Sequence, residues 1–313
     1  MPDKSFKAMM EEFRKAGEFT PEMVNIGGVV RPEETDRFID LVVKGNPILS
    51  RVTVDRARKL TKDVNVWELL RGVLQRVPQG TKPDKFTSFK NVGKKLEMKD
   101  AQLFAHIPMD YLRDNQHRPG LESMVGSRLA ETYGNDVTLL AFTGTANDFA
   151  GKAFDKLNKG WPQLLKDASD SHKVDVSDHT GGTPAAVNWE GLFSAMVEQL
   201  PDIYKGEKTV FLMSRGDAEL YQRQIGQMVG GLGHLLAKQN LTYLGYEIVS
   251  LNEMPRGHVI FTPLPNLVYG VNTSMERYRE YSGEERCIKY TFDSSFDFQV
   301  AVDDAAVIAW DKP

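Results

Sequence analysis

The sequence predicts an α+β fold in which a basic hairpin projects from a body built on one long helix and two strand-bearing regions. Three observations predict it. Met124, Val125, Leu129, Tyr133, Val137 and Leu140 keep a helical period for about 20 residues, roughly 30 Å of continuous helix. From Arg71 to Lys99 the chain is punctuated by Gly72, Pro78, Gly80, Pro83 and Gly93. There Arg71, Arg76, Lys82, Lys85, Lys90, Lys94, Lys95 and Lys99 outnumber Asp84 and Glu97. Finally, amphipathic helices alternate with short apolar runs from residue 188 onward, as an α/β unit requires.

The elements follow in order. Phe6, Met9, Met10 and Phe13 fall at i, i+3, i+4 and i+7 ahead of Gly17, which predicts an amphipathic helix needing a surface to lie on. Pro32 stands at the first position of a second helix, with Glu33 and Glu34 favoured by the N-terminal dipole. Its apolar face is read as Phe38, Leu41 and Val42, and Gly45 ends it. Ile48 to Val54 is read as a strand with a bulge near Ser50. The basic segment is expected to form an extended hairpin from Phe86, Phe89, Leu96 and Met98, turning at Asn91 to Gly93, with glycine hinges.

Ala101 to Met109 reads as a strand, followed by a short element at 110–115 and the breaker Pro119-Gly120. The long helix begins at Leu121 and ends near Gly144 and Asn147. A polar stretch to Pro184 holds a short helix bearing Trp161, Leu164 and Leu165. Asn188 caps a helix carrying Leu192, Phe193, Met196, Val197 and Leu200, with Pro201 marking its end or a kink. A strand at 209–213, a helix at 217–228 and strands at 246–251, 259–262 and 267–271 complete the α/β unit. Three successive antiparallel strands, 286–292, 296–302 and 305–310, are expected to close the chain.

Composition narrows the function classes. Hydrophobic residues make up 41% of the 313 residues and glycine adds 26 more, the proportion of a globular protein large enough for two cores. A net charge of −4 does not advertise nucleic-acid or membrane binding by the chain as a whole. With Cys287 the single cysteine, neither an intramolecular disulfide nor a cysteine-only zinc cage can form. The acidic residues Asp3, Glu11 and Glu12 interrupt any secretory leader, and the longest apolar stretches, 137–142 and 305–310, are too short to cross a bilayer as helices.

Catalytic motifs find no foothold. No nucleophile elbow, zinc-protease helix or phosphate-binding loop occurs, and residues 144–153 lack both the spacing and the hydroxyl of the last. The run Gly230 to Gly233 follows a helix instead of a strand and is read as a loop, not half of a dinucleotide fingerprint. Asp170, His172, Asp175, Asp178 and His179 are the densest set of potential metal ligands, read as a solvated loop. Cys287, beside Ile288, is read as a small buried hydrophobe, so catalytic, cofactor and metal sites are all expected to be absent.

The order of arm, basic hairpin, strand, long helix, α/β unit and closing strands resembles the major capsid proteins of tailed bacteriophages with the HK97 fold. The resemblance rests on LFAHIPMDYLRDNQHRPGLESMVGSRLAETYGNDVTLLAFTGTA at 103–146, GYEIVSLNEMPRGHVIFTPLPNLVYGV at 245–271 and FDSSFDFQVAVDDAAVIAW at 292–310. It implies an α+β HK97-like capsid fold. Residues 1–46 would be an N-terminal arm, 64–102 an extended E-loop, and 188–272 an axial α/β domain. Residues 47–63, 103–187 and 273–313 would form a peripheral domain with its spine helix.

On that resemblance the chain is a non-enzymatic subunit of an icosahedral shell around packaged double-stranded DNA, assembling with itself into hexamers and pentamers. Assembly contacts are expected from Lys82, Lys85, Phe86, Phe89, Lys90, Lys94 and Lys95 in the E-loop. The arm would pack through Phe6, Met9, Met10, Phe13, Phe38, Leu41 and Val42, and an axial loop would carry Gly226, Gly230, Gly231 and Gly233. Implied partners are a separate scaffolding protein, a portal protein, a decoration or cement protein, and packaged DNA held non-specifically, with no membrane. Implied location is the virion capsid, after assembly in the host cytoplasm. One branch of the family links an E-loop lysine to a peripheral asparagine; no asparagine follows Asn272 here, so a non-covalent shell is expected. An encapsulin-like compartment enclosing a cargo enzyme is the alternative with the same fold.

Overall fold

The computed structural model describes residues 28–29, 32–68, 90–114, 121–147, 153–181, 186–228 and 241–311. The first sheet takes its strands from both ends of the chain. β1 (Gly28–Val29), β2 (Thr53–Ala57), β5 (Lys99–Pro108), β13 (Leu267–Asn272), β14 (Glu276–Ser282) and β15 (Cys287–Val300) run in the order β1-β14-β15-β13-β2, with β5 also paired to β15. β15 is the organising strand. Its first half pairs with β14, its second half with β13, and β5 lies along residues 287–296.

That continuity corrects the expected break between residues 292 and 296. Asp293, Ser294 and Ser295 read as a turn, yet the chain continues through them and the two serines find partners inside the sheet. Ser294 Oγ accepts from the Tyr133 hydroxyl at 2.9 Å, and Ser295 Oγ donates to Asp100 at 2.6 Å. Polar residues with partners are tolerated in a buried strand. The region 48–54 is also corrected. Asn46 Oδ1 accepts from the amides of Ile48 and Leu49, winding residues 46–52 into a helical turn, so that the strand starts only at Thr53. β14, lying between the second and third resembling segments, is an element the sequence reading lacked.

The long helix, α3 below, runs as expected from Leu121 to Thr143, 23 residues or about 34 Å. Ahead of it lie α1 (Pro32–Gly45) and α2 (Met109–Asp114). α1 crosses α3 closely at Gly134, where an added Cβ would lie 3.4 Å from Val42 Cγ1. Beyond α3, Gly144 N–H bonds back to Leu140 O and its carbonyl receives the amide of Gly160. A Cβ at Gly144 would stand 2.2 Å from Asn158 O, so only glycine fits this junction. It delivers α4 (Trp161–Asp167), whose Trp161 is fully buried and donates its indole N–H to Val268 O at 3.2 Å.

The second sheet contains β6 (His172–Asp175), β9 (Thr209–Ser214), β10 (Thr242–Tyr243), β11 (Tyr246–Leu251), β12 (Val259–Pro263) and β16 (Val307–Trp310), ordered β10-β11-β9-β12-β16-β6, while the short β7 (Thr180–Gly181) and β8 (Ala186–Val187) pair with each other. Residues 307–310, grouped by the sequence with the closing strands, thus pair here, antiparallel to β12 and parallel to β6. Alternation divides this sheet between two cores. Val210, Leu212, Ile260 and Ile308 join the core of the first sheet, α1, α3 and α4, whereas Phe211, Met213, Phe261 and Val307 face the other way. That second core is closed by α5 (Trp189–Gln199) and α6 (Arg215–Met228). Asn188 caps α5 as expected, its side chain accepting from Gly191 N–H at 3.3 Å.

Candidate assembly surfaces

The basic segment is anchored by a two-stranded ladder. β3 (Thr61–Glu68) pairs antiparallel with β4 (Lys90–Glu97), from Thr61 opposite Glu97 to Glu68 opposite Lys90. Asn91 to Gly93 therefore lie inside β4, and the expected turn there is corrected. The strand partner comes from upstream residues, where alternating Val64 and Val66 offered an unused signal. Lys82, Lys85, Phe86 and Phe89 lie outside the described residues, as do Gly72 and Gly80.

The hairpin base belongs to the core. Leu96 is fully buried and Met98 nearly so, packed over Gly270 of β13. The Glu97 amide donates to Asp297 Oδ2 at 2.9 Å, and Met98 N–H donates to Leu60 O at 2.8 Å. Asp297 is pushed above the usual carboxylate range by burial, opposed by the hydrogen bonds it accepts. Of the predicted contact residues, Lys94 is half-buried and ion-paired with Asp303, so its charge is committed within the chain. Lys95 is exposed, while its carbonyl accepts from Gln299 at 3.1 Å. Lys90 pairs through its backbone at the far end of the ladder.

In the N-terminal region Phe6, Met9, Met10 and Phe13 lie outside the described residues. The predicted face of α1 is corrected in one position. Leu41 is 56% exposed, whereas Thr35, Ile39, Val42 and Asn46 turn inward. Phe38, partly buried, sits 5.6 Å from the Tyr133 ring and stacks at 5.9 Å on Phe292. Two stripes one residue apart are compatible with the helical period, and the close approach at Gly134 selects the one containing Ile39 and Val42. Leu41 is left as an apolar side chain facing outward.

In the region expected to be axial, Gly226 belongs to the last turn of α6, not to a loop. A single helical glycine costs about 1 kcal/mol, and the packing of Tyr221 and Ile225 on the second core carries the helix past it. Gly230, Gly231 and Gly233 lie outside the described residues. An open groove beside α6 is lined by Arg215, Glu219, Gln222, Leu241, Glu247 and Ser250. Its charges are matched, with Arg51 bonding Glu247 at 3.0 Å and Arg215 lying 3.6 Å from Glu219.

The densest set of potential ligands in the sequence disperses in space. His172 bonds Asp304 at 3.0 Å, Asp175 accepts from Ser177, and Asp170 accepts from Ser169. Among the described residues, ligand atoms of a different set converge: His106, Glu285 and Cys287 lie within 4.8 Å of one another. No sequence spacing signals this set, since β5 and β15 bring it together. Among the described residues no helix is long and apolar enough to cross a membrane.

No protein-family model matches the chain, and no curated protein matches it significantly. Solved structures do. A chain of the satellite phage P4 procapsid that includes the size-determination (Sid) protein is similar with a TM-score of 0.68 at 12% identity, covering 88% of this chain and 98% of its own. A chain from the capsid of a native GTA particle is similar with a TM-score of 0.59 at 13% identity, covering 95% and 96%. The holo-SrpI encapsulin complex of Synechococcus elongatus PCC 7942 contributes a chain with a TM-score of 0.53 at 10% identity, covering 85% and 87%. The chain has the HK97-like capsid fold.

Proposed function

We propose that this chain, built on the HK97-like fold, is the structural subunit of an icosahedral viral capsid. Copies associate into hexamers and pentamers and form the shell that encloses packaged double-stranded DNA. The observation that carries the reading is the match in fold over nearly the whole chain to shell-forming proteins, with the procapsid chain matched over 98% of its length. On it, residues 1–46 act as the arm, 64–102 as the E-loop, 188–272 as the axial domain and the remainder as the peripheral domain. The subunit is non-enzymatic and acts in the virion capsid after assembly in the host cytoplasm. Its partners are a separate scaffolding protein, a portal, a decoration protein and DNA held non-specifically.

Physical features fit this reading. The hairpin strands β3 and β4 share no ladder with either large sheet, while their base is locked over Gly270, as a projecting lever held by the body requires. Head-to-tail contacts of such levers generate rings where the rotation closes, and a shell of five- and sixfold rings reuses them with small angular changes. Electron microscopy of the protein, expressed alone and with its neighbouring genes, tests the proposal. Closed shells tens of nanometres across are expected, and monodisperse monomers or dimers in both preparations would overturn it. The encapsulin similarity supports a second reading, a cargo compartment. A protein cargo in place of nucleic acid inside the shells would select that one.

A further inference from the structure

We propose that His106, Glu285 and Cys287 form a binding site for a borderline-soft divalent cation of the zinc class, stapling the β14–β15 hairpin tip to strand β5. The site is independent of the capsid reading, because it belongs to one chain. Its geometry follows from strand register. His106 stands opposite Lys289 in the β5–β15 ladder, and Cys287 stands opposite Pro108 two residues along. Cys287 is therefore the diagonal neighbour of His106 on one face of the sheet, within reach of a long side chain.

Glu285 reaches the same point through the turn. Between it and Cys287, Arg286 adopts a left-handed conformation (φ 50°), uncommon for a residue with a side chain. The Arg286 carbonyl accepts from Met109 N–H at 2.9 Å, which ties that conformation to the junction of β5 and α2. Glu285 Oε2 thereby lies 3.5 Å from Cys287 Sγ, with the His106 ring completing the set within 4.8 Å.

The ligands suit one class of ion. One sulfur, one imidazole nitrogen and one carboxylate oxygen are the mixture that zinc accepts, whereas magnesium and calcium prefer oxygen alone. Tetrahedral zinc holds such ligand atoms about 3.3–3.7 Å apart. The cluster is thus wider than a filled site, and closing it requires rotation of the two exposed side chains, His106 and Glu285, toward the buried Cys287. A water molecule completes the fourth position.

Binding has two costs that belong in its balance. Burial and the adjacent Glu285 push the Cys287 thiol up, so the sulfur loses its proton to solvent as the metal–sulfur bond forms. The Lys289 ammonium, 2.9 Å from Glu285 Oε2, must also give up that carboxylate. A filled site would join β5 and the hairpin tip in a chain whose single cysteine allows no internal disulfide.

The test uses the purified 313-residue protein, titrated with Zn²⁺ by calorimetry and with Co²⁺ by absorption spectroscopy. One Zn²⁺ per chain and a thiolate-to-cobalt charge-transfer band are expected. Cys287→Ser should abolish the band, and His106→Gln, on an exposed strand face, should weaken Zn²⁺ binding by at least about tenfold. Circular dichroism of the metal-free variants separates loss of a ligand from loss of fold. Absence of a saturable one-to-one site, absence of the band, or unchanged affinity in a folded His106→Gln variant would each overturn the proposal. Failure to form shells would leave this test unaffected.

Discussion

Leu96 of the hairpin lies directly over Gly270 of the main sheet, its two methyl groups 2.9 and 3.0 Å from where a Cβ on that glycine would stand. Glycine in a central strand gives up side-chain packing, and here the space is refilled by a leucine from a different element. One missing side chain thus couples the hairpin base to the main sheet.

Gly270→Val should displace Leu96 and Met98, and overpacking of this kind costs about 1–3 kcal/mol. Urea denaturation is expected to show a lower midpoint, and limited proteolysis faster cleavage within residues 61–97. A variant with an unchanged midpoint and cleavage pattern would mean that the hairpin base is not held by this contact.

Asn46 makes the second structural prediction. Buried at 6% exposure, it accepts from two amides and donates to Thr138 Oγ1 at 2.8 Å. Thr138 in turn donates to Gly134 O, so one side chain joins the end of α1, the following turn and the middle of α3. Asn46→Ala leaves buried donors unpaired and should cost about 1–3 kcal/mol. Asn46→Asp should keep the amide acceptors and lose less, a ranking that thermal melts of the two variants will check.

Acid should loosen the contact between α4 and the turn before β12. There His258 Nε2 accepts from Lys166 Nζ at 2.7 Å, and its Nδ1–H donates to Arg256 O at 3.1 Å. Burial, and secondarily the Lys166 charge, hold the His258 imidazole below its ordinary 6.5, against the opposing pull of the Arg256 carbonyl and Asp217. Because the folded state binds the proton less readily than the unfolded one, this contribution to stability is present above about pH 6.5 and lost as pH falls through the lower folded value. Unfolding midpoints measured from pH 7.5 to 5 should fall more steeply in the parent protein than in His258→Gln. Parallel curves would remove His258 as the cause.

Shells formed by this chain should be held together without covalent links, since no asparagine follows Asn272 in the sequence and Lys94 at the hairpin base is ion-paired with Asp303. Boiling particles in SDS is expected to leave a single band near the 35.2 kDa monomer. A ladder of multimers contradicts the prediction.

Local chemistry made much of this architecture legible in advance. The α3 period, the Asn188 cap, the Pro201 stop and the strand at 246–251 all rest on interactions among residues close in sequence. Where the reading departs from the structure, a distant partner decides. Ser294 and Ser295 stay in β15 because Tyr133 and Asp100 receive them, and Leu41 faces outward because Gly134 admits Val42.

The same division describes the candidate surfaces. Composition and periodicity suffice to show that residues 71–99 are basic and broken by glycine and proline, that a long helix follows, and that Cys287 is the single cysteine. Packing between distant segments buries the hairpin base, pairs Lys94 with Asp303, and brings Cys287 within reach of His106 and Glu285. Periodicity and capping act over a turn or two of chain. Strand register across β5 and β15 joins residues separated by well over a hundred positions, and no local signal encodes which side chains it will place together.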